Sequence, residues 1–284
     1  MIKMIASDMD GTLLNSVQQI SEENKQAILK AQAQGVEFVV ATGRSYQEAT
    51  YVLGEAGLKC PIICVNGAEI RSKEGEILSA TPIAKEMARE VAAKLNELDI
   101  YFEVYTDKAA CTVDGDKAVS TLVDIILSAN PEADRDEIMY AAGARLRDGL
   151  VKVVEDYETL FADESVQIYK MLVFSFDASK LAAAGKSLAE FSEIAVSASG
   201  DENLEVTNKQ AQKGIALESL ARLKGIDISE TMAIGDNYND VSMFERAGRS
   251  VAMGNANYEI QALCDVITDT NNDHGVATAI LEVL

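Results

Sequence analysis

The chain of 284 residues contains no tryptophan, one histidine and only three prolines. Three prolines are too few for a proline-rich linker, and 48% hydrophobic with 25% charged residues is an ordinary globular composition. The length allows one large domain or two smaller ones. A chain of this size buries about three quarters of the surface that it exposes when unfolded, so it needs no disulfide or structural metal to fold. No apolar run approaches the roughly 18 residues of a membrane span.

Positive charge is also scarce. Lysine and arginine number 25 against 46 aspartates and glutamates, which gives a net charge of −21. Such a chain repels the phosphates of nucleic acids and the headgroups of anionic membranes, so we expect neither as a partner. An anionic substrate would need local cations at its binding site.

The cysteines number four, and their spacing does not form a metal or redox motif. Cys60 and Cys64 are separated by three residues, and Cys111 and Cys264 stand alone. We expect four single thiols, most of them buried, in a reducing compartment. The N-terminal segment MIKMIASDMDGTLL has acids where a signal peptide needs its apolar region. These features predict a cytoplasmic protein.

Strand and helix patterns alternate at both ends of the chain, which predicts an α/β fold with a doubly wound parallel sheet. The middle has bunched strand patterns flanked by helical ones, typical of an α+β domain. We therefore predict a catalytic core formed by residues 1–82 and 208–284 and an inserted domain at 83–207. The predicted core strands are Ile2–Ser7, Val36–Ala41, Ile62–Val65, Thr231–Ile234, Ser250–Ala252 and Val266–Ile267. The predicted insert strands are Tyr101–Tyr105, Ala110–Val113, Tyr169–Phe176, Ile194–Ser199 and Leu204–Thr207.

Acidic clusters follow two of the predicted core strands. Asp8 and Asp10 come directly after the first strand, and Asp236 and Asp240 follow the strand that ends near Ile234. In a sheet of order 3-2-1-4-5 these two strands are neighbours at the point where ligands bind. Carboxylates crowded there repel one another and favour a divalent cation. Either cluster alone could also be an Asx-rich turn.

Two further segments could hold an anion. Thr42, Gly43 and Arg44 follow the second strand and offer a hydroxyl and backbone N–H groups at the start of a helix. Lys213 begins a later helix, where a cation does not suit the helix dipole. This mismatch is consistent with a function such as holding phosphate, but an exposed lysine without a function is the simpler interpretation of this residue alone.

These segments occur in the order found in a known superfamily. Over nearly its whole length the chain resembles the haloacid dehalogenase superfamily, in its Cof-type branch with an inserted type IIB cap. The resemblance is carried by SDMDGTLL, VVATGRS, ICVNGAEI, NKQAQKGIAL, MAIGDNYND and VAMGNANYEIQALCDVITDTNNDHGVATAI. It implies a Mg²⁺-dependent phosphatase acting on small phosphorylated metabolites, such as sugar phosphates or a phosphorylated cofactor.

The resemblance also implies a role for each matching residue. Asp8 is the implied nucleophile, and Asp10 the implied acid and base. Asp8, the backbone carbonyl of Asp10, and Asp236 are implied to bind Mg²⁺, with Asp240 supporting the metal shell. The implied phosphate-binding residues are Thr42, Gly43, Arg44, Asn66, Lys213 and Asn239. Lys209 is a second candidate for the role of Lys213, and His274 is expected to have no catalytic role.

Three other functions remain open from the residues themselves. A phosphosugar mutase would return the phosphate to a second hydroxyl. A DxD glycosyltransferase would consume a nucleotide sugar, although the second acidic cluster argues against it. A non-catalytic phospho-aspartate module would not need Asp10. We expect the insert to determine the choice of substrate.

Overall fold

The computed structural model describes residues 1–130, 132–198 and 202–284. They form two compact units, one made of Met1–Thr81 with Gln210–Leu284 and the other of Pro82–Lys209. The chain thus leaves the first unit once and returns to it once.

The first unit is built on a sheet of eight strands. Their order is β14-β13-β12-β1-β2-β3-β4-β5. Pairing is parallel from β14 to β3, and the hairpin β4–β5 adds two antiparallel strands at one edge. The strands are β1 (Met4–Ser7), β2 (Glu37–Ala41), β3 (Ile62–Cys64), β4 (Glu69–Arg71), β5 (Ile77–Ala80), β12 (Thr231–Gly235), β13 (Arg249–Ala252) and β14 (Val266–Ile267).

Three helices of the first unit, α1, α2 and α10, begin at a side-chain cap. Ser21 accepts a hydrogen bond from the Asn24 N–H, and Gly35 follows the end of that helix with a φ of +82°. Ser45 and Glu48 form a reciprocal capping box. The helices are α1 (Glu22–Ala33), α2 (Tyr46–Glu55), α8 (Lys213–Leu223), α9 (Val241–Phe244), α10 (Tyr258–Gln261) and α11 (Gly275–Leu281).

The central strands are buried on both faces, which explains their continuous apolar sequences. Met4 and Ala6 of β1 share one buried cluster with Leu217 and Leu220 of α8. Packing therefore fixes α8, and with it Lys213 at its first turn, against the sheet.

The second unit has a six-stranded mixed sheet of order β10-β11-β9-β6-β7-β8. Pairing is antiparallel except between β7 and β8. The strands are β6 (Tyr101–Thr106), β7 (Ala110–Thr112), β8 (Val151–Val153), β9 (Ile168–Phe174), β10 (Ile194–Ser197) and β11 (Asn203–Asn208). Ser199, the last residue of one predicted strand, lies outside the described residues.

Five helices complete the second unit within the described part of the chain. They are α3 (Lys85–Glu97), α4 (Gly115–Ala129), α5 (Arg135–Arg147), α6 (Glu158–Ala162) and α7 (Ala178–Leu188). Helices α3 and α7 pack on the apolar side of the sheet, where Val91, Leu181 and Met171 share a cluster. The sequence patterns did not predict β8, α5 or α6, because these elements are short or only weakly amphipathic.

The cysteines follow the expectation of single thiols. Cys60, Cys64 and Cys111 are buried, Cys264 is half-buried, and all four are free. Across the described residues, helices that combine the length and apolarity needed to cross a bilayer are absent.

Candidate active site

The site begins where β1 ends beside β12. The Asp8 N–H donates to the Ile234 carbonyl, so the predicted pairing of the two strands is present. The buried Lys213 ammonium lies 2.7 Å from Asp8 Oδ1 and 2.7 Å from Asp240 Oδ1. Lys213 therefore bridges the two acidic segments that the sequence places far apart.

Asp240 is held from several sides. Its Oδ2 accepts hydrogen bonds from the N–H groups of Asp236 and Asn237 at 3.0 and 3.1 Å. A Cβ at Gly235 would lie 2.5 Å from the Asp240 carboxyl carbon, so only glycine fits there. Because one of its oxygens faces Lys213 and the other faces backbone amides, Asp240 orients the loop that carries Asp236.

Asp236 lies against the turn that follows β1. Thr12 Oγ1 donates to Asp236 Oδ1 at 2.7 Å. Gly11 has a φ of +76°, and a Cβ there would lie 2.3 Å from Asp236 Oδ2. The turn thus needs glycine both for its backbone conformation and for close approach to this carboxylate.

The three carboxylates are electrostatically coupled. Burial raises the pKa of Asp8 well above its usual range; Lys213 opposes that rise, whereas Asp240 and Asp236 add to it. Burial also raises the pKa of Asp236 to about 6, although the hydrogen bond from Thr12 opposes this. Burial alone would lower the pKa of Lys213, but Asp240 and Asp8 outweigh it and raise that pKa.

The carboxylates fit a divalent cation. Asp8, Asp236 and Asp240 each present an oxygen within 4.8 Å of the others. Lys213 supplies one positive charge against three acidic groups, so repulsion between the carboxylates adds to the effect of burial in raising the pKa values of Asp8 and Asp236. An all-oxygen set at a negatively charged site is the chemistry that Mg²⁺ prefers.

The Asp10 side chain has a different partner from that of Asp8. Arg44 Nε donates to Asp10 Oδ2 at 2.9 Å, and an Arg44 terminal nitrogen donates to Asp10 Oδ1 at 2.6 Å. The same nitrogen donates to Gln18 Oε1 at 2.6 Å. The Asp10 carboxylate is half exposed, with 50% of its side-chain surface accessible. Asp10 is therefore the acidic side chain of this segment that solvent reaches.

The segment after β2 meets the segment after β3. The Asn66 N–H donates to the Thr42 carbonyl, and the Arg44 N–H donates to Thr42 Oγ1 at 3.1 Å. Asn66 has a φ of +56° and accepts a hydrogen bond from Asn239 Nδ2 at 3.2 Å. Asn239 Oδ1 is buried without a hydrogen-bond partner among the described residues. Asn239 therefore connects the loop after β12 to the Thr42 segment.

The structure places all ten sequence-predicted site residues in the first unit. Two clusters emerge, one around Lys213 and one around Arg44 and Asn66. Lys209, the second candidate for the role of Lys213, belongs to the second unit. His274 Nδ1 lies 2.9 Å from Ser21 Oγ, at the start of α1.

Sequence reasoning missed three supporting residues. Thr12 holds Asp236, Gln18 contacts Arg44, and Asn255 Nδ2 donates to the Gly11 carbonyl at 2.8 Å. Thr12 and Asn255 lie inside the motifs SDMDGTLL and VAMGNAN, so their place in these motifs could have indicated a supporting role. Gln18 lies outside any motif.

This fold, with acidic strand ends and a lysine at the first turn of α8, defines a class of hydrolase. The family of haloacid dehalogenase-like hydrolases matches residues 5–280, and the chain belongs to it. The predicted superfamily and fold class are therefore confirmed.

Individual relatives match over full length. The chain is 38% identical to Phosphatase YwpJ of Bacillus subtilis over 97% of this chain and 98% of that one. It is 37% identical to 5-amino-6-(5-phospho-D-ribitylamino)uracil phosphatase YwtE of the same organism, over 100% and 98% of the two chains. A solved haloacid dehalogenase-like hydrolase from B. subtilis superposes with a TM-score of 0.87 at 38% identity, covering all of both chains. The predicted enzyme class, a phosphatase of this superfamily, is confirmed.

Proposed function

We propose that the chain hydrolyses phosphate monoesters of small metabolites in a Mg²⁺-dependent reaction that passes through an aspartyl-phosphate on Asp8. The observation that carries this proposal is the buried Lys213 ammonium between Asp8 and Asp240, with Asp236 beside them. That arrangement supports a carboxylate nucleophile in a site built for anionic oxygens.

Asp8 supplies the attacking oxygen. Among the described residues Lys213 is the hydrogen-bond partner of its carboxylate, through Oδ1, which leaves Oδ2 for attack on phosphorus. The bond from Asp8 to phosphorus forms as the bond from phosphorus to the leaving oxygen breaks. The covalent intermediate divides a difficult displacement into two easier ones.

Asp10 transfers the protons. Protonated Asp10 gives its proton to the leaving oxygen in the first step. In the second step ionised Asp10 takes a proton from the water that attacks the aspartyl-phosphate, which releases phosphate and restores Asp8. The half-exposed carboxylate of Asp10 is suited to both exchanges because it reaches solvent.

Asp8, Asp236 and the backbone carbonyl of Asp10 would hold Mg²⁺, with Asp240 orienting this set. When bound, the ion neutralises charge on the phosphoryl oxygens, as phosphoryl transfer requires. The Lys213 ammonium provides the other fixed positive charge. Thr42, Gly43, Arg44, Asn66 and Asn239 line the neighbouring strand ends and would bind the transferring phosphoryl group.

The substrates that we propose are sugar phosphates or a phosphorylated cofactor. The name of YwtE specifies a phosphate on a ribityl chain, so that compound belongs in any substrate panel. Because every proposed catalytic residue lies in the first unit, we propose that the inserted unit selects the leaving group.

The test measures free phosphate from a panel of phosphate esters, with Mg²⁺ and with metal-free protein in EDTA. We expect release with Mg²⁺ only. A product that keeps its phosphate on another hydroxyl would instead identify a mutase.

Asp8→Asn tests the nucleophile. The amide fills the same space but cannot form the intermediate, so we expect kcat to fall by more than about a hundredfold, near 2.7 kcal/mol in the barrier. The exposed Asp116, substituted as Asp116→Asn, is the matched control and should keep full activity. After acid quench, wild-type protein should carry one phosphoryl group on the peptide that contains Asp8. Residual activity of Asp8→Asn above a hundredth of wild type would exclude Asp8 as the nucleophile.

A further inference from the structure

A cleft of about 960 Å³ lies wholly within the second unit. It is at the end of the sheet where β6 begins and β9 ends, since Tyr101 pairs with Phe174 there. The crossovers to the first unit are at the other end, where Ile83 bridges Ile168. Seven residues of β9 separate the two ends, which is roughly 20 Å of strand. The volume is at the upper end of the range typical of small-molecule sites.

Aromatic side chains form the apolar part of the cleft. Tyr101 stacks on Phe174 with ring centroids 6.0 Å apart, and Phe102 packs on Tyr157 at 4.8 Å. Phe176 also lines the cleft, and 53% of its surface is exposed. Val113 is 42% exposed at the same cleft. Burying these two side chains under a ligand would remove apolar surface from water.

Charged side chains around the cleft are predominantly acidic. Three cations line it, against six carboxylates: Asp99, Asp114, Asp124, Glu155, Asp156 and Glu158.

Ion pairs occupy two of the cations. Arg89 pairs with Glu158 at 2.8 Å, and Lys180 pairs with Asp99 at 3.3 Å. Of the four remaining carboxylates, Asp124 pairs with Arg135 at 3.7 Å. The third cation, Lys117, therefore stands against the other three, which are Asp114, Glu155 and Asp156. Excess negative charge beside exposed aromatic rings complements a ligand with a positive charge and an apolar body, because ring faces also attract cations. The same charge repels phosphate esters, so the cleft does not suit the substrates of the first unit.

We propose that this cleft is a second binding site, for a small organic cation with an aromatic or alkyl body, separate from the phosphatase centre. The ammonium or amidinium group would face the carboxylates, and the apolar body would cover Phe176 and Val113. The residues that line the site all belong to the insert, whereas every proposed catalytic residue belongs to the first unit.

Tryptamine is a suitable probe, because the chain has no tryptophan and indole emission then comes from the probe alone. Fluorescence anisotropy of tryptamine is titrated with protein that holds saturating Mg²⁺ and phosphate, so that the acidic catalytic cluster is occupied. We expect saturable binding with a Kd of about 1 mM or tighter. Indole-3-acetate, with the same ring and the opposite charge, should bind at least about tenfold more weakly.

Two substitutions locate the site. Phe176→Ser should weaken tryptamine binding at least about fivefold, and Glu155→Gln about twofold. The control is Tyr258→Ser, an 82% exposed aromatic of the first unit, which should leave binding unchanged. Circular dichroism and phosphate release confirm that each variant is folded.

The proposal is wrong if binding does not saturate, or if indole-3-acetate binds as tightly as tryptamine. It is equally wrong if Tyr258→Ser weakens binding as much as Phe176→Ser does, since that result indicates general attraction to an acidic surface. Should Phe176→Ser fail to fold, Glu155→Gln together with Val113→Ser decides the question by the same comparison.

Discussion

Replacing Lys213 by methionine is the most direct test of the electrostatic arrangement at the end of β1. Methionine is unbranched and apolar, so it fills much of the same space without the charge. The ammonium is fully buried and lies 2.7 Å from an oxygen of Asp8 and of Asp240. In Lys213→Met these two buried carboxylates lose their shared cation.

The expected loss of stability is about 3–5 kcal/mol, the range for a buried ion pair that loses one partner. Protonation of Asp8 limits this loss of stability. Burial raises the pKa of Asp8, Lys213 opposes that rise, and removing Lys213 raises this pKa further. A carboxylate with a raised pKa destabilises the folded protein when ionised, so the deficit should be greatest at high pH. It should shrink as the pH falls through the pKa of Asp8.

The assay must distinguish the two units, because the chain need not unfold in one step. Hydrogen exchange in urea, read by mass spectrometry on metal-free protein, reports β1 and β12 separately from β9. We expect loss of protection in the first two strands and no change in β9. The exposed Lys30 gives the control Lys30→Met, expected to stay within about 0.5 kcal/mol of wild type.

Adding Asp240→Asn to Lys213→Met should recover at least about 1 kcal/mol, because the two residues are coupled. A loss below about 1 kcal/mol in the single variant, or a deficit that grows as the pH falls, would refute this reasoning.

Three further predictions concern the metal, the turn and the insert. Mg²⁺ should raise the unfolding temperature near pH 7 and do so much less near pH 5, because the pKa of Asp236, about 6, leaves that carboxyl mostly protonated there. Because the pKa of Asp236 is raised in the folded protein, metal-free protein should lose stability as the pH rises from about 4 to 6. An Mg²⁺ effect that is independent of pH would contradict both expectations. Gly11→Ala should lower kcat at least about tenfold, because the added Cβ would collide with Asp236. The control Gly35→Ala has a similar φ but no atom within 4 Å of the added Cβ, so it should lower stability and leave kcat unchanged. Equal activities of these two variants would argue against a role for the close approach. Exchanging Pro82–Lys209 for the insert of a relative should change the ranking of kcat/KM across phosphate esters and keep the dependence on Asp8 and Mg²⁺. An unchanged ranking in a folded chimera would assign substrate choice to the first unit.

Local sequence patterns predicted much of the fold and the site. The apolar segments that became β1, β2 and β12 are short, and an acid or a glycine follows each within two residues, so both their strand character and their ends were visible. Neighbouring positions of the first and fourth core strands followed from the usual order of such sheets, and β12 does pair with β1. The insert was harder to predict, and β8 has only three residues, too few for a periodic pattern.

By itself the sequence determined the strand ends at which the candidate site residues stand, because strand and turn preferences act over a few neighbouring residues. Only the tertiary structure decided which of those residues meet. Lys213 and Asp8 are 205 positions apart, yet they share a hydrogen bond. Arg44, which follows the neighbouring strand β2, donates hydrogen bonds to both carboxylate oxygens of Asp10. Such pairings depend on side-chain direction and on burial, and both arise from packing between segments that are remote along the chain. The same packing sets the raised pKa of Asp8, because burial exists only once the sheet and α8 have come together.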